Sequence, residues 1–141
     1  MLKGIDPLLP GELLKLLDEM GHGDQLIIAD RNFPGFSQGI PVVRLDTDAA
    51  TAIRAILTVF PLDTFVEHPL ERMGPQDDPA SEENDMHRAV LAAARAADPR
   101  PLELGVIPRF DFYDRAKSAF AVVLTRESAP YADFVLSKGV L

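Results

Sequence analysis

Residues 11–30 read GELLKLLDEMGHGDQLIIAD, and two different periods meet within them. Leu13, Leu14, Leu16, Leu17 and Met20 recur at helical spacing, with Glu12, Lys15, Asp18 and Glu19 on the opposite face. Pro10 and Gly11 suit the start of that helix, and Gly21 suits a left-handed cap at its end. Leu26-Ile27-Ile28-Ala29 follows as a short, continuous apolar run closed by Asp30. Such a run is the pattern of a buried strand. A helix that hands over at once to a buried strand points to an α/β protein.

The rest of the chain repeats this alternation. Pro41 to Leu45 reads as a second strand, and Leu62 to Glu67 as a third with Phe65 and Val66 inside. Between them, Asp46 or Thr47 caps a helix through Ala49, Ala50, Ile53, Ile56, Leu57 and Phe60, which Pro61 stops. His68 to Ala80, dense in proline, glycine and aspartate, reads as a surface loop. Ser81 opens a helix with Glu82 and Glu83 in its first turn, running to Ala97. Strands are expected at Leu102 to Ile107, Phe120 to Leu124 and Phe134 to Leu136, with a short helix over Phe112 to Lys117. The expected architecture is one α/β domain over residues 1–141, a short, mostly buried sheet covered by helices.

Composition narrows the function classes. At 141 residues the chain has the size of one domain. It holds no cysteine, which removes disulfides, thiolate zinc sites and a cysteine nucleophile. Fourteen Lys and Arg stand against 22 Asp and Glu, a net charge of −8. Scattered basic residues on so acidic a chain argue against nucleic acid or anionic lipid as a partner. No apolar run approaches the length of a membrane span or signal core, so a cytoplasmic protein is expected. Walker, GxGxxG and HExxH motifs are all missing.

The remaining candidates are few. His22 sits between Gly21 and Gly23, after a helix end and before a buried strand. Two readings of it stand: an imidazole presented to a cleft for proton transfer, or one that caps the preceding helix carbonyls. Asp30 lies at the carboxyl end of a buried strand, where open α/β sheets bind ligands; it can also serve its own loop backbone. Asp24 could cap the turn or orient His22. His22, Asp24 and Asp30 together form only a weak metal-ligand pattern. Arg109 precedes Phe110 and Phe112 and could hold a hydroxyl-rich or anionic ligand, or pair with Asp111 or Asp114. His87, among polar neighbours in the third helix, is expected at the surface.

Three blocks taken together carry a resemblance. ELLKLLDEMGHGDQLIIADRNFP from Glu12, RFDFYDRAKSAF from Arg109 and YADFVLSKGV from Tyr131 resemble the signatures of L-fucose mutarotases and their D-ribose pyranase relatives, the RbsD/FucU sugar mutarotases. Asn32-Phe33-Pro34 and Arg109-Phe110 look more like the fucose branch. The resemblance implies a catalytic role for His22 and sugar contacts from Asp30, Arg109, Tyr131, Ala132 and Asp133. Asp133 departs from the family, which has asparagine there; a carboxylate only accepts hydrogen bonds, whereas an amide also donates. The implied chemistry is acid–base opening and closure of a free monosaccharide ring, with no metal or cofactor. L-fucose or a related sugar is the implied partner, and a ring-shaped homo-oligomer with sites near subunit contacts the implied assembly. Ribose pyranose–furanose exchange and sugar binding without catalysis are the rival readings.

Overall fold

The first helix ends two residues short of His22, and its end is held from the far terminus of the chain. A computed structural model describes residues 1–141. Helix α1 spans Gly11–Glu19 and buries Leu13 and Leu17. It leads into β1, Gln25–Ala29, whose residues from Leu26 onward are buried. A 3-10 turn, Gly35–Gln38, precedes β2, Val42–Arg44. Helix α2, Ala49–Ile56, is capped by Asp48, whose side chain accepts from the Thr51 N–H. Strand β3 is Leu70–Gly74, helix α3 Asp85–Ala97 and strand β4 Gly105–Pro108. Helix α4, Arg109–Ser118, and strands β5, Ala121–Leu124, and β6, Phe134–Ser137, complete the order.

These strands form one six-stranded sheet in the order β2-β5-β1-β6-β3-β4. Strands β2, β5 and β1 are mutually parallel, as are β3 and β4. Only β6 runs against its neighbours, antiparallel to both β1 and β3. Five strands therefore end on the same edge, and β6 begins there. The sheet is covered on both faces, which explains the unbroken apolar runs in β1 and β5. Leu26 and Ile28 join Leu13, Leu17, Ile53, Val90 and Phe134 under the first three helices. Ile27 and Ala29 join Phe33, Met73, Phe112, Val122 and Val135 on the α4 side. No helix is long and apolar enough to cross a membrane.

Three expectations are corrected. Residues 62–67 do not form a strand; only Leu62 pairs, in an isolated bridge with Lys138, while Phe65 and Val66 lie exposed. Apolar character predicts burial there, but neither side chain joins the core. Residues 68–80 are not all loop, because β3 lies within them. Its LERMG sequence breaks the apolar pattern, and tertiary partners override that local signal. Glu71 is paired with Arg115 of α4 at 2.5 Å. Arg72 is buried and donates from Nη2 to the Ser81 carbonyl at 2.5 Å. Helix α3 starts at Asp85 rather than after Ser81, because Asn84 makes a reciprocal cap with His87. The Asn84 side chain accepts from the His87 N–H at 2.9 Å, and His87 Nδ1 accepts from the Asn84 N–H at 3.1 Å.

Arg72 keeps two guanidinium nitrogens, Nε and Nη1, with no partner in the interior, and its burial lowers its pKa. A buried donor without an acceptor costs about 1–3 kcal/mol. Arg72→Met, which retains the stem and drops the charge, is therefore expected to raise unfolding stability by about that amount. Urea denaturation of the two proteins measures it; a less stable Met variant would show that the guanidinium is satisfied in solution.

Candidate functional site

Strand β1 separates the two halves of the expected site. His22 precedes it and Asp30 follows it, and the run from Gln25 to Asp30 alone spans about 17 Å of extended backbone. The structure therefore does not bring His22 together with Asp30, Arg109, Tyr131 and Asp133 within one chain. It also separates the His22, Asp24 and Asp30 set considered for a metal.

At the amino end of β1, Gly23 takes a positive φ of 84°, which lets the chain turn sharply after His22. Its N–H donates to the Lys138 carbonyl at 2.8 Å. The Lys138 ammonium reaches back to the Leu17 and Met20 carbonyls, 2.6 Å each, and so supplies the cap that α1 lacks. Gly139 lies so close to the Leu62 carbonyl that a Cβ would stand 2.5 Å from it. The carboxyl-terminal KGV segment thus clamps the His22 turn from below. Asp24 is structural: its carboxylate accepts from the Gly21 N–H at 2.7 Å.

The group that orients His22 is Asp63, which the sequence reading did not single out. His22 Nε2 lies 3.1 Å from Asp63 Oδ1, and Asp63 is buried. The Phe65 N–H also donates to that oxygen, at 2.9 Å. The Phe65 N–H first, and then the His22 ring, hold the Asp63 carboxyl below its usual range against the effect of burial. His22 keeps its side chain 45% exposed. The Phe65 ring stands 5.2 Å from it and is itself 74% exposed. An apolar hollow of about 600 Å³ adjoins the imidazole, walled in part by Leu2, Leu17, Val59, Pro61 and Val140.

At the carboxyl edge of the sheet a second cavity, of about 290 Å³, is lined by Asp30, Asn32, Phe33, Arg109, Tyr131 and Asp133 among others. The sheet topology explains the gathering. Asp30 follows β1, Arg109 follows β4, and the reversed β6 places Asp133 immediately before its first residue. Asp30 Oδ1 accepts from the Asn32 N–H at 2.7 Å, the local role considered for it, and the residue also lines the cavity. Asp133 Oδ1 accepts from the Asp30 N–H at 2.9 Å. Burial raises the pKa of both carboxyls, and that of Asp133 reaches about 7 with the Asp30 charge beside it. Ala132 is buried in the core on the helical face, beside the cavity rather than in its wall.

Arg109 pairs with neither Asp111 nor Asp114. Its guanidinium instead lies 5.7 Å from the centre of the Tyr113 ring. Tyr113 stacks in turn on Phe33, with centroids 5.8 Å apart. Phe33 is therefore the floor of an aromatic wall.

Tyr131 adopts a φ of 55°, the one positive value outside glycine. Its backbone is held by α3. His87 Nε2 donates to the Tyr131 carbonyl at 2.8 Å, and the Asn84 side chain donates to the Pro130 carbonyl at 3.0 Å. With Nδ1 accepting from Asn84, both ring nitrogens of His87 are assigned, and the neutral Nε2–H form is the one that fits. Burial lowers its pKa and favours the same form. The expectation of a surface His87 is thus overturned: the residue is buried and positions the loop that carries Tyr131.

The comparisons agree with this architecture. The L-fucose mutarotase of Glaesserella parasuis serovar 5 (strain SH0165) is 45% identical over 145 residues, covering 99% of this chain and 96% of that protein. The crystal structure of FucU from Bifidobacterium longum superposes with a TM-score of 0.90 at 43% identity, covering 99% of each chain. The fucose mutarotase of Streptococcus pneumoniae, solved in complex with L-fucose, gives 0.84 at 32% identity and 99% coverage of each chain. The model of the RbsD / FucU transport protein family matches residues 3–141. With that span matched and the sheet, the His22 turn and the carboxyl-edge cavity in place, the chain belongs to the RbsD / FucU family.

Proposed function

We propose that this chain is a cofactor-independent isomerase of the L-fucose mutarotase type, interconverting the α and β anomers of a free monosaccharide. The observation that carries the reading is the convergence of Asp30, Arg109, Tyr131 and Asp133 on one cavity, in a chain whose full-length relatives are named L-fucose mutarotases. The lining suits a sugar. Arg109 offers fixed donors and the two carboxyls offer acceptors. The Tyr113 face, backed by Phe33, offers an apolar wall to the C–H side of a pyranose.

Mutarotation breaks the C1–O5 bond, frees the aldehyde for rotation and closes the ring on the other face. It needs one proton delivered to the ring oxygen and one taken from the anomeric hydroxyl. His22 is the base in this reading, and it enters from a second copy of the chain. Three observations support that assembly: the separation of His22 from the cavity along β1, the exposure of its ring, and the apolar hollow with Phe65, Val66 and Val140 exposed around it. A homo-oligomer joined there would bury this surface and bring His22 to the partner's cavity. Sugar is the partner, and the two proton transfers require neither a metal nor a redox group.

Saturation-transfer NMR tests the activity. Anomer exchange of L-fucose is expected to exceed the buffer rate, with D-ribose pyranose–furanose exchange measured beside it. Buffer-rate exchange of both sugars by the folded protein would overturn the reading. Faster exchange of ribose than of fucose would move the assignment to the pyranase branch.

A further inference from the structure

We propose that this chain carries a second ligand site, for the dianion of a small phosphate monoester, where Arg31, Arg44 and Arg126 converge at the carboxyl edge of the sheet. The proposal goes beyond the mutarotase reading and does not depend on it.

The topology makes the cluster. Strands β2, β5 and β1 are adjacent and parallel, so their carboxyl ends lie side by side. Arg44 is the last residue of β2, Arg126 stands two positions past β5, and Arg31 stands two positions past β1. Each of three neighbouring strands thus delivers one arginine to the same edge, and all three line a cavity of about 270 Å³. The carboxyl ends of parallel strands are where α/β sheets take their ligands. This cavity shares no lining residue with the one that holds Asp30, Arg109 and Tyr131. The two lie on either side of one turn, with Asp30 and Asn32 lining one and Arg31 the other.

The backbone fixes where the arginines start. Leu45 and Thr125, which also line the cavity, are buried. The Thr125 N–H and hydroxyl both donate to the Ala29 carbonyl, at 2.9 and 2.8 Å. The Leu45 N–H donates to the Leu124 carbonyl at 3.0 Å, and the Arg31 N–H to the Glu127 carbonyl at 3.0 Å. The three arginine-bearing segments are therefore tied to one another.

The charge balance selects the ligand. Of the three arginines only Arg126 makes an ion pair, with Asp46. Arg44 lies over the Phe36 ring, 5.1 Å from its centre, which leaves the edge of the guanidinium for a partner. Three guanidinium charges against the one Asp46 carboxylate leave two positive charges in the cavity wall, on a chain whose net charge is −8. Like charges gathered round a cavity repel one another, and an anion among them turns the repulsion into attraction. Each guanidinium is a rigid fork of donors matched to phosphate oxygens. A phosphate monoester carries close to two negative charges at neutral pH and three terminal oxygens, so it meets both the charge and the number of forks. A phosphodiester or a carboxylate carries only one charge.

Calorimetric titration of the full chain with methyl phosphate, at about pH 7.5 and fixed ionic strength, tests this, since the monoester is then almost wholly the dianion. Saturable binding at one site per chain is expected. Arg44→Gln and Arg126→Gln should each weaken it about tenfold or more, the scale of one lost charge-assisted contact. Asp46→Asn should tighten it about threefold, because Arg126 is released from its surface pair. Dimethyl phosphate, a monoanion, should bind about tenfold more weakly than the monoester. No saturable binding of methyl phosphate by the folded wild type overturns the proposal. Binding that both arginine variants leave within about threefold of wild type also overturns it, since the anion would then sit elsewhere, Arg109 included. A diester bound as tightly as the monoester overturns the assigned ligand class. Inorganic phosphate is the other source of the same dianion, and binding of it without binding of methyl phosphate would overturn the monoester assignment. Should an arginine variant not fold, Asp46→Asn decides: an affinity no tighter than wild type overturns the site.

Discussion

Replacement of His22 by alanine slows anomer exchange by about 10²–10⁴-fold, the usual scale for loss of a positioned acid–base group. Sugar binding should survive, because Asp30, Arg109 and Tyr131 lie at the other end of β1. The split is diagnostic: exchange falls while the concentration of sugar needed for half-occupancy stays near its wild-type value. Asp30→Ala should weaken binding instead. Co-assembling the two variants then probes the subunit arrangement. Each variant supplies the part the other lacks, so about a quarter of the sites in a randomly mixed oligomer would be whole. Recovery of activity on mixing and refolding is the expected result. No recovery, from variants shown to co-assemble, would place His22 and the cavity in one chain and contradict the separation described above.

Asp133→Asn has a consequence for stability. The folded carboxyl titrates near 7, against an ordinary value of 3.8 in the unfolded chain. Between those values the folded protein holds a proton that the unfolded chain does not. The stability associated with that proton is fully present below the unfolded pKa and is lost as pH rises through the folded one. Its ceiling is about 4 kcal/mol for a shift of this size. The asparagine variant loses nothing over the same range. Its stability relative to wild type should therefore grow with pH, from near zero at pH 4 to about 2–4 kcal/mol at pH 8. His87 acts in the opposite sense: its lowered pKa means stability lost as pH falls through the unfolded value of 6.5. That slope is common to both proteins and cancels in the difference. Parallel curves of urea stability against pH for the two proteins would sink this account.

The parts of the fold that were legible are those in which a side chain's own period decides its place. The leucines of α1 and the apolar runs of β1 and β5 met the faces their spacing assigned them. Strand β3 was not legible, since Glu71 and Arg72 interrupt its pattern and find partners only in the folded chain. Phe65 and Val66 misled in the other direction, being apolar and exposed. Asp30, Arg109, Tyr131 and Asp133 line one cavity, whereas His22 and Ala132 do not. The separation of His22 from them was already implied by the strand between them, because β1 must hold its two ends apart. Asp63 and His87 were missed for a common reason. Each acts through a residue more than forty positions away, and no local spacing encodes such a partner. A histidine three residues after an asparagine at a helix start was the one local sign, since it completes a reciprocal cap.

Strand β6 joins more than two neighbours in a sheet. Because it alone runs against the rest, its first residue follows Asp133 and its last precedes the lysine that pins α1. Four residues of pleated backbone, about 13 Å, are the gauge that sets the distance between the two working ends of a subunit. Side chains alternate with every residue, so a deletion of one position here would turn Asp133 out of its cavity and pull Lys138 from its carbonyls in a single event. Strand β6 can change its side chains but not its count.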